Sequence, residues 1–421
     1  MTAVSTPARG IESGAAGEVR EQVRAALEKG KRLRILGAGT WLDAGRPVRA
    51  NARLGLQTHA GIVEYVPGDL TITALAGTPL AELERATSAE RQWLPLDPFG
   101  VEGGTLGATI ATASSGPLAH GFGGVRDNVL GIEVVTGRGE IVRAGGRVVK
   151  NVAGFDLTRL MIGAWGTLGA ITEVTVRLRA RPEVDRTIVA PLPRDPHALE
   201  QLLAAIRRLP LTALALQLVN DELARRLDVG DAPCLLARIG GNEDSVRAQM
   251  AMIGQAVGAR GTVSGGTGTG GGASGDAASS RTASGGALTE VSREVWQTLR
   301  ECEHAESIVL RLAAATAMLP WLWTGATGAA AAVTGTYVHA WCGSGTVRMI
   351  VPADSEAMED PAIAALVRAL PEARRLGERL PPALWTRLVP SAVTDPVSRR
   401  VREAFDPRLL LNPGILGEVM A

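Results

Sequence analysis

Three glycine-rich segments, at residues 35–45, 101–131 and 147–169, limit what this chain can fold into more than any other feature of it. The first, ILGAGTWLDAG, is an apolar strand that runs into a turn. The second, VEGGTLGATIATASSGPLAHGFGGVRDNVLG, is built of small residues over most of its length. The third, RVVKNVAGFDLTRLMIGAWGTLG, ends in another glycine motif. Side chains this small supply little apolar surface, so such segments must lie against another backbone or against a ligand that comes close to main-chain amides. Singly, each has an ordinary reading. ILGAGTW departs from the dinucleotide fingerprint G-x-G-x-x-G because Leu42 stands at the third glycine position, and Asp43-Ala44-Gly45-Arg46-Pro47 breaks the helix that should follow. A Rossmann site is therefore not expected, and the loop alone reads as a turn. The second segment reads equally as a cradle for a large flat ligand, with Thr and Ser hydroxyls as donors, and as a buried Gly/Ala helix between loops. With 51 glycines in 421 residues, no single glycine carries weight; only order and spacing do.

The elements between these segments read as α+β. Residues 18–29 have helical spacing at Val19, Val23, Ala26 and Leu27. RLRILGAGT is a short strand leading into a turn, and residues 61–87 give two strands and a helix with Thr78 as N-cap and Pro79 at the first helical position. Residues 132–143 read as a hairpin over Gly137-Arg138-Gly139, and 170–179 alternate as a half-buried strand. Near Arg181-Pro182 the character changes and a second domain is expected. It should hold helices near 197–208, 243–257, 288–303, 359–369 and 395–404, and strands near 212–219 and 346–351. Residues 258–287 carry almost no apolar side chains and are expected to form a disordered Gly/Ser-rich insertion.

Several function classes fall away on composition. A formal net charge of +1 without a basic run gives no reason to expect nucleic acid. Cys234, Cys302 and Cys342 are far apart, which supports neither a disulfide framework nor an iron–sulfur or zinc site. The N-terminal stretch has no apolar run or twin-arginine pair, so the expected compartment is the cytoplasm. Residues 312–341 lack Asp, Glu, Lys and Arg, but Pro320, five threonines and His339 favour a helix, a loop and a buried strand over a membrane span.

Together the motifs carry a resemblance. In order they are a G-x-G-T loop, LPLDP, GGTLGATIAT…SSG with RDNVLG, and K-N-V-A-G-F-D-L-x-x-L-x-x-G-x-x-G-T-L-G-x-I-T-E, followed by a tail FDP…NPGILG. This series resembles the FAD-binding domain of the vanillyl-alcohol oxidase / p-cresol methylhydroxylase superfamily, and more narrowly the smaller FAD-binding subunits of bacterial glycolate oxidase. The resemblance implies a two-subdomain p-cresol methylhydroxylase-type FAD-binding domain over 1–185 and a smaller α+β cap or substrate domain with an antiparallel sheet over 186–400. It also implies a tail at 401–421 that returns to the flavin domain. By the same resemblance Gly37, Ala38, Gly39 and Thr40 hold the FAD pyrophosphate. Asp97 and Pro98 lie beside the isoalloxazine or ribityl chain, and Gly103, Gly104, Thr105, Leu106, Gly107 and Thr109 supply amides and a hydroxyl. Ser114, Ser115 and Gly116 border the ring, Gly169 and Ile171 meet the adenosine side, and Asn412 approaches from the tail.

Lys150, one of three lysines in an arginine-biased chain, opens the third motif. Two readings stand: an ammonium near the flavin that favours its reduced anionic form or binds a carboxylate, or a stem packed under the loop with its head on Asp127 or Asp156. Relatives that oxidise 2-hydroxy acids alone often carry H-x-G-x-G-N-x-H with metal-binding histidines. Here the counterpart is HAWCGSGTVR, with His339 in place and Arg348 where the second His would stand, so no metal site is expected. Arg348 reads either as a fork for a substrate carboxylate or as an ordinary strand-edge Arg, and His120 as a base or as a solvated loop His. Trp165 stands where many relatives have Glu. No His follows the G-x-G-T loop directly, so FAD is expected to be non-covalent.

The implied function is an FAD-binding subunit of a complex that oxidises a small 2-hydroxy acid such as glycolate to a 2-oxo acid. The implied partners are a larger FAD-binding subunit and an iron–sulfur subunit, with the inner face of the membrane reached through them. The alternatives are a self-sufficient FAD-dependent 2-hydroxy-acid oxidase or dehydrogenase and a flavin-free assembly subunit.

Overall fold

The computed structural model describes residues 14–146, 156–258, 288–303, 307–352 and 361–417. Lys150 and all of the 258–287 insertion beyond Gly258 lie outside the described residues. The chain divides into two units, one formed by 1–116, 123–181 and 385–421, the other by 117–122 and 182–384.

The first unit begins with helix α1, Gly14–Glu28, which buries Val19, Val23 and Ala26. Strands β1 (Leu33–Leu36) and β2 (Ala52–Gly55) pair in parallel. A five-stranded sheet follows, made of β3 (Ile62–Val66), β4 (Thr71–Leu75), β6 (Val129–Thr136), β7 (Ile141–Gly145) and β8 (Gly169–Arg177), in the order β3-β4-β8-β6-β7. The two-residue strands β5 (Gln92–Trp93) and β9 (Arg179–Ala180) pair separately. Alternation along β6 and β8 divides the core in two. Val134 and Ile171 point into a cluster with Leu83, Leu106 and Ile110, while their neighbours Val135 and Ala170 join Val19, Val23, Leu33, Leu54 and Leu411. Burial on both faces accounts for the mostly apolar sequence of β6, and its one charged residue, the buried Glu133, pairs with Arg143 at 2.5 Å.

Helix α2 spans Leu80–Ser88 with Pro79, not Thr78, as its N-cap. Thr78 is fully buried; its hydroxyl donates to the Leu75 carbonyl at 2.7 Å and accepts from the Gly61 amide at 2.9 Å. A hydroxyl so engaged binds the turn before the helix and cannot cap it. Helix α3, Leu106–Thr112, is capped by Thr105, whose side chain accepts from the Ala108 amide.

The second unit is built on an eight-stranded, wholly antiparallel sheet. Its strands are β10 (Val184–Pro191), β11 (Ala213–Val219), β12 (Cys234–Gly241), β13 (Thr289–Val291), β14 (Ile308–Ala313), β15 (Tyr337–Trp341), β16 (Thr346–Val351) and β17 (Arg374–Arg379). Their order is β13-β10-β12-β11-β15-β16-β14-β17. Helices at Pro196–Arg208 and Glu243–Gly258 accompany it. The first is capped by Asp195 and buries Leu199, Leu202, Leu203 and Ile206 at helical spacing. Residues 288–303, expected to be one helix, split into edge strand β13 and a short helix at Val295–Arg300, because Thr289 and Val291 pair with Val189 and Thr187 of β10.

Arg348 is not a strand-edge residue, since β16 lies between β15 and β14. It stands opposite His339 on one side and Arg311 on the other, with no exposed surface. Its guanidinium pairs with Glu378 at 2.7 Å and with Glu303, while Arg379 and Arg311 reach the same two carboxylates at 3.4 and 3.6 Å. Burial by itself would raise the Glu378 carboxyl, but Arg348, Arg311 and Arg379 outweigh it and hold the group below its ordinary value. A carboxyl depressed in this way stabilises the fold above its unfolded pKa and loses that contribution as pH falls through the folded one. Arg348→Leu leaves Glu378 and Glu303 with only the more distant Arg311 and Arg379 and should cost about 3–5 kcal/mol at neutral pH by urea denaturation. The deficit should shrink as pH falls, beginning above the ordinary Glu value of about 4.3, because without Arg348 burial favours the protonated Glu378 carboxyl.

Candidate functional site: an amide cradle between two glycine loops

Two loops of the first unit meet beyond the end of β1. In the first, Gly37 sits so close to α3 that a Cβ there would lie 2.4 Å from Thr105 Oγ1 and 3.3 Å from Ala108 Cβ, and Gly39 takes φ +79°. In the second, Gly103 takes φ +95°, and its missing Cβ would stand 3.6 Å from Thr40 Cγ2. The loops therefore touch at both ends, and only glycine permits the closer contact. The amides of Gly37, Ala38, Gly39, Thr40, Gly103, Gly104 and Thr105 donate to no acceptor among the described residues. Folded chains leave few main-chain donors unpaired. A run of them on adjoining loops forms a concavity suited to an anion with several oxygens.

The remaining residues of the second glycine segment build this cradle from behind. The Leu106 and Gly107 amides, expected to face a pyrophosphate, donate instead to the Thr78 and Ala76 carbonyls at 2.9 and 2.8 Å. The Thr109 hydroxyl bonds back to the Thr105 carbonyl at 3.0 Å. These three residues fasten α3 to the segment after β4. Asp97 and Pro98 belong to a strap tied to Ser114–Gly116. Ser114 accepts from the Phe99 amide at 3.3 Å, and a Cβ on Gly116 would fall 1.8 Å from the Asp97 carbonyl oxygen. Ser115 accepts from the Val125 amide and donates to the Ala113 carbonyl. Gly169 and Ile171 lie within β8, Gly169 against Val134 and Ile171 in the core. Asn412 is 6% exposed, and both ends of its side-chain amide are committed: Oδ1 accepts from the Ile35 amide at 2.8 Å and Nδ2 donates to the Trp165 carbonyl at 2.7 Å.

One aromatic residue of this site, Trp41, escaped the sequence reading, and Trp165 was noted there only for standing where many relatives have Glu. The Trp41 ring stacks on Trp165 with centroids 6.1 Å apart and planes at 19°, and a Cβ on Gly100 would lie 3.5 Å from Trp41. Trp41 thus joins the first loop to the strap before Gly103. Its available signal was its place directly after G-x-G-T in a chain poor in aromatics.

The candidates for proton transfer or substrate binding among the described residues, His120, His339 and Arg348, belong to the second unit. His120 lies in the short helix Ala119–Phe122 with Nδ1 buried and unpartnered, and burial lowers its pKa. His339 is fully buried, and burial together with Arg348 pushes its pKa well down, so its imidazole is neutral. With the Gln217 amide turned to satisfy both its ends, the nitrogen donates to His339 Nδ1 at 3.3 Å and the oxygen accepts from Trp341 Nε1 at 3.1 Å. Arg348 is engaged by the protein's own carboxylates. Among the described residues no three His, Cys, Asp or Glu side chains converge as a metal site would require.

Comparison with known proteins bears directly on the cradle. Residues 7–145 match the FAD binding domain family, and both cradle loops fall inside that span. Glycolate oxidase subunit GlcE of Escherichia coli K12 is 37% identical over 230 residues, 53% of this chain and 64% of that protein. Glycolate oxidase subunit GlcD of Bacillus subtilis is 37% identical over 155 residues, 37% of this chain and 33% of the relative. The mitochondrial D-lactate dehydrogenase [cytochrome] of Arabidopsis thaliana is 32% identical over 193 residues, 44% and 34%. The chain thus spans less than two thirds of the length of these curated relatives. Two structures of alkyldihydroxyacetonephosphate synthase align over 94% of this chain and 75% of theirs, with TM-scores of 0.64 and 0.66 at 16% identity, a likeness of fold. The chain carries an FAD-binding domain of the p-cresol methylhydroxylase type within a mixed α+β fold.

A Cβ at Gly104 would meet nothing within 4 Å, so substitution there fills the cradle without disturbing its walls. Gly104→Trp should keep the melting temperature of the apoprotein and weaken FAD binding at least about tenfold, equivalent to about 1.4 kcal/mol, in a fluorescence titration. Unchanged affinity would place the cofactor elsewhere.

Proposed function

We propose that this chain is the FAD-binding subunit of a complex that oxidises a 2-hydroxy acid, with glycolate going to glyoxylate, and delivers the electrons to an iron–sulfur partner. The observation that carries this reading is the set of unpaired amides on two touching glycine loops inside the segment matched to FAD-binding domains. Similarity to the GlcE subunit over 230 residues reaches beyond that segment and supports the glycolate assignment.

Bound FAD supplies the acceptor for the hydride that leaves C2 of the hydroxy acid. The chain's own part begins with charge: Gly37–Thr40 and Gly103–Thr105 offer amides to the pyrophosphate oxygens. Leu106 and Gly107 keep that arrangement rigid through the Thr78 and Ala76 carbonyls. Trp41 directly follows the first loop, where attachment through His would need an imidazole, so the cofactor is held without a covalent bond.

Two features favour a relay role within a complex, alongside a larger FAD-binding subunit. Cys234, Cys302 and Cys342 are each buried, and burial raises each thiol to about 12, so none is poised as a thiolate ligand for a cluster. His339 and Arg348 are occupied by Gln217, Glu303 and Glu378. One observation supports the second reading, a dehydrogenase complete in itself: the unpartnered His120 Nδ1, neutral because burial disfavours its charge, is able to accept a proton. No described helix is long and apolar enough to cross a membrane, so in this reading a cytoplasmic subunit reaches the membrane face through its partners.

An absorption spectrum of the purified chain, taken before and after anaerobic addition of glycolate or D-lactate, separates the readings. Flavin bands that persist are expected for the relay. Bands that bleach establish a self-sufficient dehydrogenase, and His120→Ala should then slow bleaching by about 10²–10⁴-fold. A colourless protein that takes up no added FAD overturns both.

A further inference from the structure

We propose that Asn412 is a positioning residue that sets the shape of the amide cradle by holding the first glycine loop at both of its ends; this rests on the reading of the cradle as the cofactor site. One end is reached through β1: the Asn412 amide donates to the Leu33 carbonyl at 2.9 Å, and Oδ1 accepts from the Ile35 amide at 2.8 Å, two residues before Gly37. The other is reached through the tryptophan pair: Nδ2 donates to the Trp165 carbonyl at 2.7 Å, and the Trp165 ring stacks on Trp41, the residue after Thr40. A Cβ on Gly166 would stand 2.9 Å from Nδ2, so the glycine keeps that approach open.

Asn412 is itself held from behind. Asp406 is fully buried and accepts from the Leu410 and Leu411 amides at 2.9 and 2.8 Å, and Arg402 pairs with it at 3.0 Å. A Cβ on Gly137 would fall 2.3 Å from Asp406 Oδ1, so the β6–β7 turn packs against this anchor. Asn412 adopts φ +43°, a left-handed conformation that Asn tolerates better than most residues and that is kept where surrounding bonds require it. A side chain that donates at one end and accepts at the other is needed at this point, and Asp cannot do both when ionised.

The test uses the full chain with three readouts: FAD affinity, the near-ultraviolet circular dichroism of the stacked tryptophans, and melting temperature. Asn412→Asp keeps the acceptor for Ile35 and loses the donor to Trp165. It should diminish the tryptophan signal and weaken FAD binding about tenfold or more. Asn412→Gly removes both bonds while relieving the left-handed backbone, so it folds even if the Asp variant does not, and it should weaken FAD binding further. A lowered melting temperature in the variants with tryptophan signal and FAD affinity unchanged would falsify the positioning role. If the wild-type chain binds no FAD, the cofactor reading fails. The tryptophan signal then still decides whether Asn412 orders the loop: loss in Asn412→Asp upholds the brace, and no change overturns it.

Discussion

A main-chain N–H that faces no carbonyl is costly unless something else accepts from it, and the first unit is organised around a cluster of such groups. Gly37 and Gly103 bring two loops into contact that any side chain at Gly37 would force apart. The amides thereby turned inward are useful only if the loops stay in place. The surrounding bonds serve that end: Leu106 and Gly107 onto Thr78 and Ala76, Phe99 onto Ser114, and Asn412 across β1 and the Trp165 turn. A site written in backbone atoms needs this much support because it has no long side chains that could adjust to a misplaced ligand.

The second unit solves a different problem by different means. Its eight-stranded sheet carries a row of polar groups, His339, Arg348 and Arg311, directly opposite one another on adjacent strands. Like charges at such spacing repel, and Glu378 and Glu303 relieve the repulsion by sharing three arginines between them. Buried networks of this kind contribute little net stability compared with an apolar core, yet removing one member leaves its partners uncompensated. They restrict which strands can lie side by side, since another register would leave a charge without its counterion.

How much of this was legible follows from how local each signal is. The glycine order was readable because each motif is contiguous, and the α+β class followed from strand alternation and helix spacing. The cap of α2 was misread because Thr78 satisfies a rule for helix starts while spending its hydroxyl on Gly61 and Leu75, a choice only the folded turn reveals. Leu106, Gly107 and Thr109 share the character of their glycine segment, and nothing local says that their donors point backward into the protein. Arg348 read as a substrate fork or an ordinary strand-edge Arg, and not as the centre of a buried network, because its carboxylates stand 30 and 45 residues away in the chain. The resemblance drew Asn412 toward the site from the tail motif, but its two partners lie 377 and 247 positions earlier, beyond any sequence window.

That separation has a consequence for biosynthesis. The loop after β1 leaves the ribosome well before the residue that braces it, which follows several hundred positions later. During translation, at about 5–20 residues per second, the nascent first unit must wait tens of seconds with its glycine loops unbraced and its Leu410 and Leu411 contacts unmade. The cradle thus takes its final shape late in the life of the nascent polypeptide. Any cellular factor that shields those loops would have to act early and let go only once residue 412 has emerged.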